Sequence, residues 1–360
     1  MSSEGKGKYQ RKIMMPSQEL ILGLSLEELK LKFLKNGFTS LDAKRVFPWI
    51  HMKLAKSFDV MSDVPKCVRE TLPDFFSIVR PECKTKQKSL DGTQKVLLEF
   101  SDGECVETVF IPDEKRNTIC ISTQIGCIIG CKFCHTGTQK FSRNLTSSEI
   151  MSQMFFWKDI QNESNGSSIT NIVFMGMGEP LLNSKNLFNA LNLLLDEKIH
   201  NFSRNKITVS TSGIVNGSIE KLAKFGVKLA ISLHASSDEK RAFLMPINKK
   251  YNISNVLNAA RKYLYFSNVD YVTFEYLLLS GVNDSDNDAI ELAYLLKNFG
   301  IQCKVNLILF NDWFGTEFRA SSKGHTFLRI LLSKGIRTII RKSRGDDIFA
   351  ACGQLKSERQ

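Results

Sequence analysis

Cys127-Ile128-Ile129-Gly130-Cys131-Lys132-Phe133-Cys134 places three thiols within eight residues. Spacings of three and two intervening residues let one short loop aim three sulfurs at one point. Thiolates are soft ligands, and they select iron–sulfur clusters, zinc or copper(I). In a four-iron cubane, three protein thiolates leave one iron open to another ligand.

Working outward from the loop, strand patterns fall at 118–122, 171–175, 206–210, 228–233, 272–279 and 303–309, with a trailing one at 337–341. Helical patterns lie between them at about 147–160, 185–197, 216–226, 253–265, 285–299 and 322–334. Strict β/α alternation predicts a parallel sheet with right-handed crossovers. Six repeats are too few for a closed eight-fold barrel. The expected fold class is therefore α/β, an open or partial (β/α)6 barrel over 118–342. In such folds ligands bind beyond the carboxyl ends of the strands. The three-cysteine loop, Gly176-Met177-Gly178-Glu179-Pro180, Ser210-Thr211-Ser212-Gly213, Ser232-Leu233-His234 and Asn311 all fall on that rim.

Upstream, Ser25-Leu26-Glu27-Glu28 reads as a helix start with a carboxylate three residues after the serine. Helices at about 40–52 and 65–71 complete a small helical accessory domain, expected over 19–90. Residues 1–18 read as a flexible basic tail. Alternating segments at 94–100 and 105–111, with Asp91-Gly92 and Asp102-Gly103 as turns, predict a β-hairpin extension over 91–117. The end, 343–360, reads as a tail in which small residues flank Cys352.

The 360 residues carry 49 Lys and Arg against 37 Asp and Glu, a net charge of +12 that favours a polyanionic partner such as RNA. The bland alternative is solubility alone. Nine cysteines, an odd number, argue against a structural disulfide framework. Cys67, Cys83, Cys105 and Cys303 are expected to be small buried hydrophobes. No apolar run is long enough to span a bilayer, and the polar start lacks a signal-peptide core. The expected location is the cytoplasm, with no membrane contact.

Each motif has a rival reading. Cys131-Lys132-Phe133-Cys134-His135 matches a c-type haem attachment pattern, but that leaves Cys127 idle and requires export. A Cys₃His zinc knuckle using His135 would bind RNA without catalysis, but adjacent ligands Cys134 and His135 strain a tetrahedral site. The glycines around Met177 let backbone approach a small ligand, and Glu179 can pair with an ammonium group. Ser210, Ser232 and Asn311 offer hydrogen-bonding groups, though such residues more often cap helices or make turns. His234 reads equally as a core histidine or a site residue.

Together these stretches carry a resemblance. Cys127-x₃-Cys131-x₂-Cys134 is the signature of radical S-adenosylmethionine (SAM) enzymes. With Thr118–Cys127, Gly176–Pro180, Ser232–His234 and Ala350–Leu355, it resembles the RNA adenosine methyltransferases of that superfamily, from about residue 20 to the C-terminus. The branch it is most similar to is the dual-specificity 23S rRNA and tRNA adenine-C2 methyltransferases. The relative that methylates C8 typically has alanine where Pro180 stands and lacks Arg344-Gly345-Asp346-Asp347. Two positions depart from the family: Phe349 replaces an aspartate and Leu309 a proline.

The resemblance implies a radical SAM barrel. Cys127, Cys131 and Cys134 would hold a 4Fe-4S cluster, and Gly178, Glu179, Ser210, Ser232, Leu233, His234 and Asn311 would complete the SAM pocket. Two SAM molecules would serve each turnover. One methylates Cys352; the second, split reductively, yields a radical that takes hydrogen from that methyl. The carbon radical adds to C2 of the adenine, an electron-poor position that cannot attack SAM directly. Glu107 would remove the C2 proton, and Cys120 would attack the Cys352 sulfur, forming a transient disulfide that frees the product. The implied partners are 23S rRNA, tRNA and a flavodoxin-type electron donor, with the chain a monomer. The alternatives are a C8-specific rRNA methyltransferase or a non-catalytic zinc RNA-binding protein.

Overall fold

A computed structural model of the chain describes residues 18–164, 166 and 168–357. The expected basic tail, 1–18, lies outside them but for Gln18. One sheet of ten strands organises the fold: β1 (Glu82–Lys88), β2 (Gln94–Glu99), β3 (Cys105–Asp113), β4 (Arg116–Cys120), β5 (Asn171–Phe174), β6 (Ile207–Thr211), β7 (Lys228–Ser232), β8 (Val272–Leu278), β9 (Cys303–Leu309) and β10 (Thr338–Arg341). They lie side by side in chain order. β1 to β4 pair antiparallel, and β4 to β10 pair parallel. β1 and β10 end the sheet, so the barrel is open.

Helices Ser147–Glu163, Ser184–Leu195, Ser218–Ala223, Ile253–Phe266, Asp286–Asn298 and Gly324–Ser333 occupy the six parallel connections, as the alternation predicts. The parallel strands bury apolar residues such as Ile172, Phe174, Val209, Ile231, Phe274 and Leu307, because helices and cleft cover the sheet. A helix not foreseen, Asp238–Leu244, follows β7.

Helix Leu26–Lys35 starts as Ser25 implies. Ser25 accepts from the Glu28 N–H and Glu28 reaches back to the Ser25 N–H, a reciprocal cap. Helix Ser40–His51 repeats the device with Thr39 and Asp42, and Lys66–Thr71 completes the unit. Phe33 stacks on Phe76 with ring centroids 5.0 Å apart, and the unit's core is continuous with that of the barrel.

Two readings change. Residues 82–88, expected within the helical unit, form the outermost strand β1, and the hairpin is part of the main sheet rather than an appendage. Every residue of β1 is exposed, so its pattern carries no buried face for a sequence reading to detect. Cys83 on that strand and Cys67 are exposed, correcting the expectation of burial; Cys105 is buried and Cys303 half-buried. Among the described residues no helix is long and apolar enough to cross a membrane.

Candidate active site

At the carboxyl ends of the parallel strands lies a cleft of about 160 Å³. Cys127, Cys131 and Cys134 line one part of it, and Cys352 of the tail lines another. Gly178, Glu179, Ser210, Ser232 and His234 form further wall, so the rim rule brings together residues up to 225 positions apart, from Cys127 to Cys352.

The loop bearing the three thiols is held by its own backbone. Gly130 takes a left-handed φ of 66°, and the Cys134 N–H donates to Cys131 O at 3.1 Å. Burial pushes Cys127 up to about 12 and raises Cys131 and Cys134 as well. Such thiols ionise only beside a positive partner. His135 does not complete a fourth corner: its ring stacks on Trp313 at 4.7 Å and its Nδ1 lies 3.2 Å from Gln354 O. Among the described residues, no three His, Cys, Asp or Glu side chains converge on a single ion. Three soft donors around a shared cleft suit a multi-iron cluster with an open iron.

Glu179 shapes the wall beside them. Its Oε2 accepts from the Ser212 N–H at 2.6 Å and the Ser212 hydroxyl at 2.7 Å, while Oε1 accepts from the Leu181 N–H at 3.0 Å. Burial raises its carboxyl above the usual range against these bonds. Gly178 has a φ of 94°, and a Cβ there would stand 2.4 Å from Gln124 Cβ. Gly176 would likewise meet Ser122 Oγ at 2.6 Å. These glycines therefore seat the loop on the segment that follows β4, beyond the ligand approach expected of them.

His234 is held neutral. The Leu277 N–H donates to its Nδ1 at 3.0 Å, which places the proton on Nε2, and burial lowers its pKa to about 3. Leu233 and Asn311 sit one layer back. The Leu233 side chain is in the apolar core, and Asn311 Oδ1 accepts from the Ser343 hydroxyl at 2.7 Å.

Cys120 ends β4, and burial pushes it up to about 12, with the Cys352 charge adding to the effect. Glu107 on β3 is buried, and burial raises its carboxyl while the Lys95 ammonium, 2.8 Å away, opposes the rise. Neither lines the cleft wall, but both border the tail that carries Cys352.

Sequence reading missed four groups. Glu275 and Arg341 line the cleft. Glu275 Oε2 is buried without a hydrogen-bond partner, an acceptor open to a ligand N–H or O–H. Arg341 closes the last strand and is raised chiefly by the nearby Cys352; its place at a strand end was the available signal. Lys95 and Arg241 gave none, lying within a strand and a helix. Arg241 is fully buried and donates to Leu233 O, Ser212 O and Ser232 O at 3.1, 2.7 and 2.9 Å, tying two rim loops together.

The family model of the Radical SAM superfamily matches residues 121–293, and that of the ribosomal RNA large subunit methyltransferase N-terminal domain matches 20–78. The chain is 42% identical over 343 residues to the dual-specificity RNA methyltransferase RlmN of Francisella tularensis, covering 94% of this chain and 92% of that one. It is 43% identical over 351 residues to RlmN of Cereibacter sphaeroides, covering 94% and 89%. The crystal structure of a radical SAM methyltransferase from Sphaerobacter thermophilus superposes with a TM-score of 0.88 at 39% identity, covering 94% of this chain and all of that one.

Proposed function

Because the chain belongs to the RlmN family of radical SAM RNA methyltransferases, we propose that it methylates C2 of an adenosine in 23S rRNA and in tRNA. The observation that carries this reading is one cleft lined by the three-thiol loop, Glu179 and a tail cysteine, Cys352. Cys127, Cys131 and Cys134 would hold the 4Fe-4S cluster. Gly178, Glu179, Ser210, Ser232 and His234, with Leu233 backbone and Asn311 behind them, would hold SAM. When bound, cluster and SAM supply the methyl group and the means of activating it.

The chain's own residues divide the rest. Cys352 accepts the methyl carbon and presents it to the base. Glu107 takes the C2 proton. Cys120 attacks the Cys352 sulfur, so that the carbon–sulfur bond breaks toward product and a disulfide forms, later reduced. C2 rather than C8 is supported by Pro180, which opens the short helix Pro180–Asn183 capped by Glu179. It is supported too by Arg344, whose guanidinium lies 3.7 Å from Asp91 and 3.5 Å from Asp113 and so anchors the tail. The helical unit before β1 and the basic surplus grip RNA, with the adenosine turned out of its stack. A flavodoxin-type protein supplies electrons to a cytoplasmic monomer.

Mass spectrometry of rRNA and tRNA nucleosides from cells with and without the gene tests this. The expected product is 2-methyladenosine in both RNAs; methyl on C8 alone would refute it. Cys352→Ala should abolish methylation with iron content intact, and Cys120→Ala should leave RNA covalently attached to the enzyme.

A further inference from the structure

The tail is gripped on both sides of Cys352 by one buried ion pair. Lys95 on β2 and Glu107 on β3 are diagonal neighbours, for Lys95 is opposite Val109 and Leu97 opposite Glu107. Lys95 Nζ lies 2.8 Å from Glu107 Oε1 and donates to Phe349 O at 3.2 Å, before the cysteine. Glu107 Oε2 accepts from the Lys356 N–H at 2.8 Å, after it. Both side chains are only 9% exposed. Further contacts fix the segment between: the His135 N–H donates to Gly353 O at 2.7 Å, and Gln354 Nε2 donates to Asp312 O at 2.7 Å.

The same stretch is strained. Phe349 has φ 52° and ψ 41°, a left-handed conformation unfavourable to a bulky side chain. The residue is 47% exposed, so packing does little to hold it there. The Lys95 bond to its carbonyl opposes the strain.

We propose that Lys95 is the positioning residue for Cys352, and that the docked tail caps Glu107. This rests on the reading of Cys352 as methyl acceptor and Glu107 as base. With the tail docked, both Glu107 oxygens are engaged, one by Lys95 and one by the Lys356 N–H. When the tail moves to deliver its carbon, the Lys356 N–H leaves Oε2, and that oxygen is free to take the C2 proton. Lys95 stays on Oε1 and keeps the carboxylate ionised until it does. Base and docked tail are thus alternative states of one ion pair, and the strain at Phe349 favours the exchange.

Hydrogen exchange on the anaerobic holoenzyme without RNA, read on peptides spanning 345–357, tests the clasp, together with the alkylation rate by iodoacetamide at fixed pH of Cys352 in protein made without iron and given its cluster in the absence of SAM, so that Cys352 is still a thiol. Lys95→Met should speed both about tenfold, as loss of a charge-assisted bond implies, and Lys95→Arg should recover most of the protection. Phe349→Asn should slow both by about fivefold, because asparagine tolerates the left-handed conformation. Tail protection within about twofold of wild type in Lys95→Met, or a looser tail in Phe349→Asn, would overturn the proposal. Binding of target RNA should expose the peptide containing Lys356; retained protection would overturn the capping of Glu107. The functional reading fails separately, by absence of methyl on Cys352 in the wild-type protein.

Discussion

Replacing Arg241 with methionine keeps much of its volume and removes its hydrogen bonds. The guanidinium donates to Leu233 O, Ser212 O and Ser232 O, and to Asn248 Oδ1 at 2.9 Å, with the side chain fully buried. Among the described residues it makes no ion pair within 4.0 Å; burial lowers its pKa to about 10, with the Cys131 and Asp238 charges opposing the fall. The substitution leaves four carbonyls, Tyr251 O at 3.3 Å among them, without this donor, at about 1–3 kcal/mol each. Relief from burying a charge offsets part of the loss, and a net cost of about 5 kcal/mol is expected. That is a large share of a typical stability of about 5–15 kcal/mol. At about 2 °C per kcal/mol for a chain of this size, the thermal midpoint should fall by about 10 °C. Differential scanning calorimetry on the anaerobic protein reads the shift, and equilibrium dialysis reads SAM affinity, which should weaken because Ser212 and Ser232 lose their shared anchor. A fall below about 3 °C with unchanged SAM affinity would refute the idea that Arg241 holds the rim.

The neutral state of His234 gives a pH prediction. Its folded pKa of about 3 lies below the ordinary value of 6.5, so its contribution is present above pH 6.5 and is lost as pH falls toward 3. At pH 5 the loss is about 2 kcal/mol, and His234→Gln should flatten the denaturant-midpoint profile between pH 7 and 5 by that amount; parallel profiles would contradict the assignment. Glu275 acts with the opposite sign. Burial raises its folded pKa above 4.5, so it favours folding below that value and loses the contribution as pH rises; Glu275→Gln should therefore gain stability relative to wild type as pH rises from 5 to 8. Glu179→Gln removes the charge that orders Ser212 and should weaken SAM binding at least tenfold by calorimetry, with the iron content kept. Cys131→Ala should lose iron and brown colour together, and a protein that retained its iron would exclude the three-thiol ligation.

What could be read without coordinates was whatever chemistry is local. Three thiols spaced for one loop, a serine with a carboxylate three residues on, and strands alternating with helices each express a short-range period, and the fold follows because parallel β/α units leave few alternatives. The rim rule then collected Glu179, Ser232 and His234 with the thiol loop. The exposed strand β1 escaped because a strand with no buried face has no alternation to detect.

The tertiary structure alone decided how distant residues meet. Lys95 reaches a carbonyl 254 positions away and Glu107 an amide 249 positions away, and no local pattern encodes such contacts. Arg241 shows the same limit: a cation inside a short helix reads as surface charge until three loops are found to close over it. The sequence by itself determined the spacing of the three thiols and the alternation of strand and helix. Only packing decided that Cys352 enters the cleft, that Glu107 is paired to Lys95, and that Phe349 sits in a backbone conformation its side chain disfavours, because each depends on the sheet bringing the tail back across the antiparallel strands.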